Sequence, residues 1–308
     1  MKVLVIGGNG FLGANLVNSL SFSYKVVAGV REISKKTPLS NTTNELVINW
    51  DNLSSNKNNL LDFNTIIYAA GVNAFDCIVH PDKAFEINGD IPGQFIKIAS
   101  DIGVKNFIYF STAHVYSPNL SRSIDELSPT GNNHPYAQSH LMGESNILRH
   151  SNSNKINSLV IRLSNGFGVP LTENKACWSL VVNQMCQQAV ESHQITINST
   201  GTQRRNFIGM NEVGNVTKHL LCGMQENIKN EVFNVGSQWN PSILELAKTI
   251  QSRCREILNF IPEIIVKNNS CDKGDAIFSV NKLVQSNYNI SNPVIEIDNL
   301  LRFCNLQL

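Results

Sequence analysis

The sequence predicts an α/β protein: a doubly wound parallel sheet followed by a smaller α/β region. Three observations carry this. Short runs that are apolar throughout alternate with segments of helical apolar period along the first half of the 308-residue chain, the pattern of strands covered on both faces. The first of these runs breaks into a glycine turn that leads directly into a helical pattern. After Pro170 the alternation loosens into helices and shorter strands, which predicts a lid built onto the first unit.

Lys2 to Ile6 is the first buried strand, and Gly7, Gly10 and Gly13 follow at three-residue spacing just as Phe11, Leu12, Leu16 and Val17 begin a helical period. Such a turn brings bare backbone amides at a helix N-terminus against a pyrophosphate. Gly7 allows the tight turn, Gly10 the close phosphate approach and Gly13 the packing of helix on strand, with Phe11 and Leu12 at the same end of the cofactor. The first unit therefore reads as a Rossmann-type, dinucleotide-binding domain over 1–165. A smaller substrate-binding domain covers 166–308, with parts of 203–240 returning to the first.

Lys25 to Val30 reads as the second strand, residues 32–44 as a polar loop, Leu46 to Trp50 as the third strand and Thr65 to Ala70 as the fourth. Helical periodicity runs between Asp82 and Ile102. Asn106 to Ser111 and Leu159 to Leu163 are further strands, with a helix from Tyr136 to Leu148 between them. Beyond Pro170 the pattern predicts helices at Ser179 to Ser192, Glu212 to Met224 and Ser242 to Phe260, and strands at Gln194 to Asn198, Glu231 to Val235 and Glu263 to Val266. Ligands of parallel sheets gather beyond the carboxyl ends of the strands, so the residues there are the candidates.

Composition narrows the partners. Lysine plus arginine nearly balance aspartate plus glutamate, the net charge is +1, and no basic run interleaves with aromatics, so no nucleic acid is expected. No apolar run is long enough to span a bilayer and the first residues form a strand, which predicts a protein that is cytoplasmic and makes no membrane contact. The cysteines show no C-x-x-C pair and no clustering with histidine, so neither a disulfide framework nor a metal is expected.

The exit of the second strand bears on the cofactor. A carboxylate there accepts from the ribose 2′-hydroxyl of NAD, whereas a cation suits the 2′-phosphate of NADP. The chain has Ala28-Gly29-Val30-Arg31, with Ser34, Lys35 and Lys36 behind it. NADP(H) is accordingly expected over NAD(H), with Arg31 paired to phosphate or stacked on adenine. Asp51, with Asn52 beside it, is placed to accept from an adenine amino group. Ala69, Ala70 and Gly71 are small where backbone passes close to the cofactor.

Phe110-Ser-Thr-Ala-His-Val-Tyr-Ser117 leaves a central strand, and Tyr136-Ala-Gln-Ser-His140 follows at a helix start. With the glycine turn, Asn88, Arg162-Leu-Ser-Asn165-Gly-Phe-Gly-Val-Pro170, Arg205-Asn-Phe-Ile and Phe233-Asn-Val-Gly-Ser237, the chain resembles the extended short-chain dehydrogenases/reductases that modify nucleotide-activated sugars. The resemblance implies that Thr112 hydrogen-bonds the substrate carbonyl and that Tyr136 exchanges its proton. It also implies that Asn88, Tyr136 and His140 serve the cofactor, and that Asn165 and Arg205 hold the sugar nucleotide. A homodimer through helices of the first domain is implied in the same way.

The chain departs from that pattern in three places. His140 stands where the family has lysine; Asn206 replaces the usual aspartate after the arginine; and an arginine often found before the Lys273-Gly274-Asp275 loop is absent. A mostly neutral histidine stabilises a phenolate less than lysine does, which favours reduction, where Tyr136 must start protonated. Ala113-His114 follows the threonine where dehydratases of the family carry an Asp-Glu pair. The combined expectation is an NADPH-dependent reductase of a nucleotide-linked 4-keto-6-deoxysugar, with a nucleotide-sugar epimerase or a non-catalytic NADP-sensing regulator as alternatives.

Overall fold

The computed structural model describes residues 1–33, 44–118, 120, 123–153, 156–173, 175–267 and 276–307. Ser34, Lys35, Lys36 and the Lys273-Gly274-Asp275 segment lie outside the described residues. β1 (Lys2–Ile6) leads through the glycine turn into α1 (Phe11–Ser21), followed by β2 (Lys25–Val30), β3 (Asn44–Val47), the short α2 (Lys57–Leu60) and β4 (Thr65–Tyr68). Next come α3 (Ala74–Val79), α4 (Pro81–Ala84), a π-helical turn (Phe85–Asp90), α5 (Ile91–Asp101) and β5 (Asn106–Thr112). β6 (Ser123–Ile124), α6 (Pro135–Ser153) and β7 (Asn157–Leu163) complete the first half.

The second half runs β8 (Asn165–Phe167), α7 (Val181–Ser192), β9 (Gln194–Ile197), β10 (Phe207–Gly209), α8 (Met210–Glu226) and β11 (Glu231–Val235). It ends with α9 (Ile243–Leu258), β12 (Glu263–Val266), β13 (Ile277–Phe278), α10 (Asn281–Gln285) and α11 (Val294–Leu306).

Seven strands form one parallel sheet in the order β3-β2-β1-β4-β5-β7-β11. Because side chains alternate along a strand, β1 sends Val3 and Val5 to one face, with Leu16, Leu20 and Leu220 of α1 and α8. Leu4 and Ile6 go to the other, with Phe95 of α5 and Ile147 of α6. This double burial is why the strands are apolar throughout. The chain travels outward from β1 to β3 and then crosses to β4, so the carboxyl ends of β1 and β4 diverge into a crevice at the switch point. A third core, with Phe167, Val182, Ile195, Leu246 and Leu300, lies among α7, α9 and α11. The paired strands β8–β10 and β9–β12 belong to this half, whereas β11 extends the main sheet and α8 packs on α1.

β8, β10, α10 and α11 are not among the expected elements, and two expected ones differ in form. The third strand is Asn44–Val47 rather than 46–50, because Asn49 turns the chain by accepting the N–H groups of Asp51 and Asn52 at 3.1 and 2.9 Å. The helix predicted from Asp82 to Ile102 is interrupted by the π turn. Pro92 explains it: proline has no N–H to donate and its ring crowds the carbonyl four residues back, that of Asn88. The Asn88 carbonyl accepts from the Tyr109 hydroxyl at 2.6 Å.

Candidate active site

The glycine turn sits at the crevice. Gly7 and Gly8 both donate to Gly29 O, at 2.9 and 3.1 Å, tying the turn to β2. Gly7 has φ +82°, and a Cβ on it would stand 2.7 Å from Ala70 Cα, so both conformation and space demand glycine there. A Cβ on Gly13 would come within 2.0 Å of Gly7 O, which lets α1 approach the turn. Gly10 is the N-cap of α1. No side chain caps that end and its first turn carries no acidic residue, so the leading N–H groups of an 11-residue helix face the cleft ready for an anion.

A cleft of about 560 Å³ runs from this turn along the carboxyl edge of the sheet. Arg31, Glu32 and Trp50 line one end; Gly7, Gly10, Phe11, Leu12, Ala69, Ala70 and Gly71 line the middle; Thr112, Tyr136, His140 and Ser164 line the other. The Arg31 guanidinium stacks over the Trp50 ring, 5.4 Å from its centroid, a cation–π contact. The carboxylate neighbour Glu32 supplies an acceptor at the same end. Asp51 and Asn52 are exposed and held in the Asn49 turn, outside this lining. Asn88 is also outside it: fully buried, it accepts from Val72 N–H at 2.9 Å and donates to Ser139 Oγ at 3.0 Å, bracing the loop after β4 against α6.

The chemistry-bearing end is built on β5 and α6. Thr112 is the last residue of β5; its hydroxyl accepts from His114 N–H at 3.2 Å, and it lines the cleft together with Tyr136. Tyr136 enters the site because α6 starts here, its N–H donating to His134 Nδ1 at 3.1 Å. Burial pushes the phenol above its ordinary range, and the nearby Thr112 hydroxyl pulls against that. One turn on, His140 is buried with its ring centroid 4.7 Å from that of Tyr136. Burial lowers its pKa to about 3, and the His114 imidazole adds to this, so His140 is neutral and brings no cation to the phenol. The Ser111 hydroxyl donates to Glu144 Oε1 at 2.5 Å, and Glu144 pairs with Arg162 at 2.7 Å. That buried pair ties α6 to β7.

A second cleft, about 330 Å³, adjoins the first. Asn165, Arg205 and His114 line it, and Ser164 lines both. Ser164 Oγ is buried and has no hydrogen-bond partner among the described residues. Asn165 donates to Asn206 O at 2.8 Å, leaving its amide oxygen for a ligand. Arg205 is exposed, and no carboxylate pairs with it among the described residues; Arg204 is held by Glu245 at 3.0 Å and by Asn240 O. Asn206 is structural, exchanging hydrogen bonds with Ser237 at 2.7 and 3.1 Å. Glu32, Trp50 and Ser164 were missed from sequence, although Glu32 was legible as the carboxylate one residue past Arg31.

Residues 3–236 match the NAD dependent epimerase/dehydratase family. The chain belongs to that family. It is thus an NAD(P)-dependent enzyme of the epimerase/dehydratase kind. This epimerase/dehydratase-family chain is 25% identical over 270 residues to dTDP-D-glucose 4,6-dehydratase of Mus musculus, covering 83% of this chain and 73% of that protein. Its fold is similar to UDP-glucose 4-epimerase of Thermotoga maritima with UDP-glucose, at TM-score 0.85 and 18% identity, covering 100% and 99% of the two chains. It is also similar to UDP-glucuronic acid 4-epimerase of Bacillus cereus in complex with UDP-glucuronic acid and NAD, at TM-score 0.83 and 20% identity, covering 100% of each.

These comparisons correct two expectations. A reductase is not what the similar proteins are: they are dehydratases and, among the solved structures, mostly 4-epimerases. NADP(H) is likewise overturned, since the family is NAD dependent and the solved relatives with a named cofactor hold NAD. The physical reason lies at Arg31, whose guanidinium is stacked on Trp50 with Glu32 beside it. A carboxylate there repels a 2′-phosphate and suits a 2′-hydroxyl.

No described helix is long and apolar enough to cross a membrane.

Proposed function

We propose that the chain is an NAD-dependent nucleotide-sugar 4-epimerase. One observation supports the reading: Thr112 and Tyr136 line the same end of the cofactor cleft, beside the second cleft, and the next two residues after Thr112, Ala113 and His114, bring no carboxylate pair for removing water. The glycine cradle, the uncapped α1 and Glu32 fit a dinucleotide with a free ribose 2′-hydroxyl. Bound there, NAD supplies a hydride acceptor that can return the hydride.

The protein's part is to hold and move the proton. Thr112 fixes the sugar oxygen through its hydroxyl, and Tyr136 takes the proton of the sugar 4-hydroxyl and gives it back. Negative charge on the oxygen is shared between the two hydroxyl groups. Arg205 binds the diphosphate and Asn165 the sugar nucleotide, holding the hexose over the reacting end while its 4-keto form turns its other face.

The test is incubation of the purified protein and NAD with UDP-glucose, UDP-galactose or their N-acetylated or glucuronic counterparts, followed by proton NMR. Inversion at C4 without net change in NAD is expected. A 4-keto-6-deoxy product would mean dehydration and overturn the reading. NAD binding without any turnover on the panel would favour a sensor.

A further inference from the structure

Two tyrosines of the sheet reach the π turn. Tyr68 donates its hydroxyl proton to Ile87 O at 2.7 Å, and Tyr109 donates to Asn88 O at 2.6 Å. Burial pushes both phenols well above their ordinary range, so each keeps its proton. Asn88 O is a carbonyl and only accepts. A phenol has one proton, and that of Tyr109 is committed to the 2.6 Å contact. The same oxygen lies 2.9 Å from His140 Nδ1. With its proton spent, it can only accept there, so Nδ1 carries the hydrogen.

A neutral imidazole with hydrogen on Nδ1 has a bare Nε2. No hydrogen bond to His140 Nε2 is found among the described residues, and His140 lines the cofactor cleft. We propose that Tyr109 holds His140 as its Nδ1–H tautomer and that Nε2 faces the cleft as a hydrogen-bond acceptor for a ribose hydroxyl of the bound dinucleotide. The polarity is the reverse of a lysine ammonium, which only donates. Tyr109 is a positioning residue acting through His140. The tautomer stands on the protein's own hydrogen bonds; the ribose hydroxyl rests on the reading that NAD fills the cleft.

Two-bond proton–nitrogen correlation spectra of the full chain with labelled histidine test both parts, the His140 signals being assigned by their loss in His140→Gln. Without cofactor, Nδ1 is expected in the protonated, pyrrole-like region and Nε2 in the bare, pyridine-like region; the opposite assignment overturns the tautomer. In Tyr109→Phe, checked for folding by circular dichroism, the two signals are expected to move toward a tautomer mixture. An unchanged pattern overturns the role of Tyr109. At saturating NAD, with binding followed by tryptophan fluorescence, Nε2 is expected to shift upfield while Nδ1 stays; bound NAD with an unmoved Nε2 overturns the ribose contact. Absence of NAD binding overturns the cofactor reading and with it the contact, while the tautomer is decided by the cofactor-free spectrum.

Discussion

The Tyr136 phenol and the His140 imidazole meet edge to face with centroids 4.7 Å apart, and neither is charged at neutral pH. Burial raises the first above 10.0 and lowers the second to about 3. Oxidation of a sugar hydroxyl needs the phenolate, and its fraction grows about tenfold per pH unit below its pKa. Epimerisation is therefore expected to accelerate steadily with pH across the neutral to alkaline range. His140→Lys places a cation beside the phenol, lowers its pKa and moves the rise to lower pH. Rate profiles of the two proteins check this; a flat wild-type profile, or coincident profiles, sinks it. Tyr136→Phe is expected to lose about 10²- to 10⁴-fold in kcat.

Glu32 stands beside an arginine that is already stacked, so the ribose diol of NAD has one carboxylate to bind at that end of the cleft. Hydrogen bonds to a charged group contribute about 1.5–3 kcal/mol. Glu32→Gln is expected to weaken NAD by about tenfold or more while narrowing its advantage over NADP. Fluorescence titration with each cofactor measures this. Equal affinities of variant and wild type for NAD would remove Glu32 from the site.

Much of this was legible in the residues themselves. Lys2 to Gly13 predicts a buried strand, a turn and a helix because apolar period and glycine spacing are local properties, and the observed β1 and α1 follow them. Thr112 and Tyr136 are legible from a motif and not from spacing; their shared place in the cleft depends on how α6 docks on β5, which no local pattern encodes. Asp51 lies outside the cleft lining for a local reason: Asn49 caps its own turn and leaves Trp50 on the cleft. The π turn was hidden because Pro92 is compatible with a helix start, and only the position of Tyr109 reveals where the Asn88 carbonyl goes.

Neighbouring arginines make a contrast that tests the substrate cleft. Arg204 is tied to Glu245 in an exposed pair with side chains 42% and 52% accessible, the kind that contributes about 0–1 kcal/mol. Arg205 faces the second cleft with no carboxylate partner among the described residues. Arg205→Ala is expected to raise KM for the nucleotide sugar about tenfold or more, with kcat changed less. Arg204→Ala should leave KM within about threefold, the scale of an exposed pair. Steady-state kinetics on both variants decide it, and equal effects would mean that Arg205 has no special hold on the diphosphate.

Two buried groups drive stability in opposite directions with pH. Glu296 of α11 accepts Asn211 N–H at 3.1 and 3.2 Å at the start of α8, and burial there raises its pKa from 4.5 to about 7. Between those values the folded state binds the extra proton, so this contribution is present below 4.5 and is lost as pH rises through about 7. His140 falls from 6.5 to about 3, so between those values the unfolded state binds the extra proton. Its contribution is present above 6.5 and is lost as pH falls toward about 3. Where the windows overlap the two oppose each other. Glu296→Gln removes one of them, and urea unfolding free energies are expected to climb more steeply with pH from 4.5 to 6.5 than in wild type, by about 1.4 kcal/mol per unit for each full proton. His140→Gln leaves Glu296 alone and turns the slope negative in the same interval. Slopes identical in all three proteins would mean that neither group titrates differently on folding.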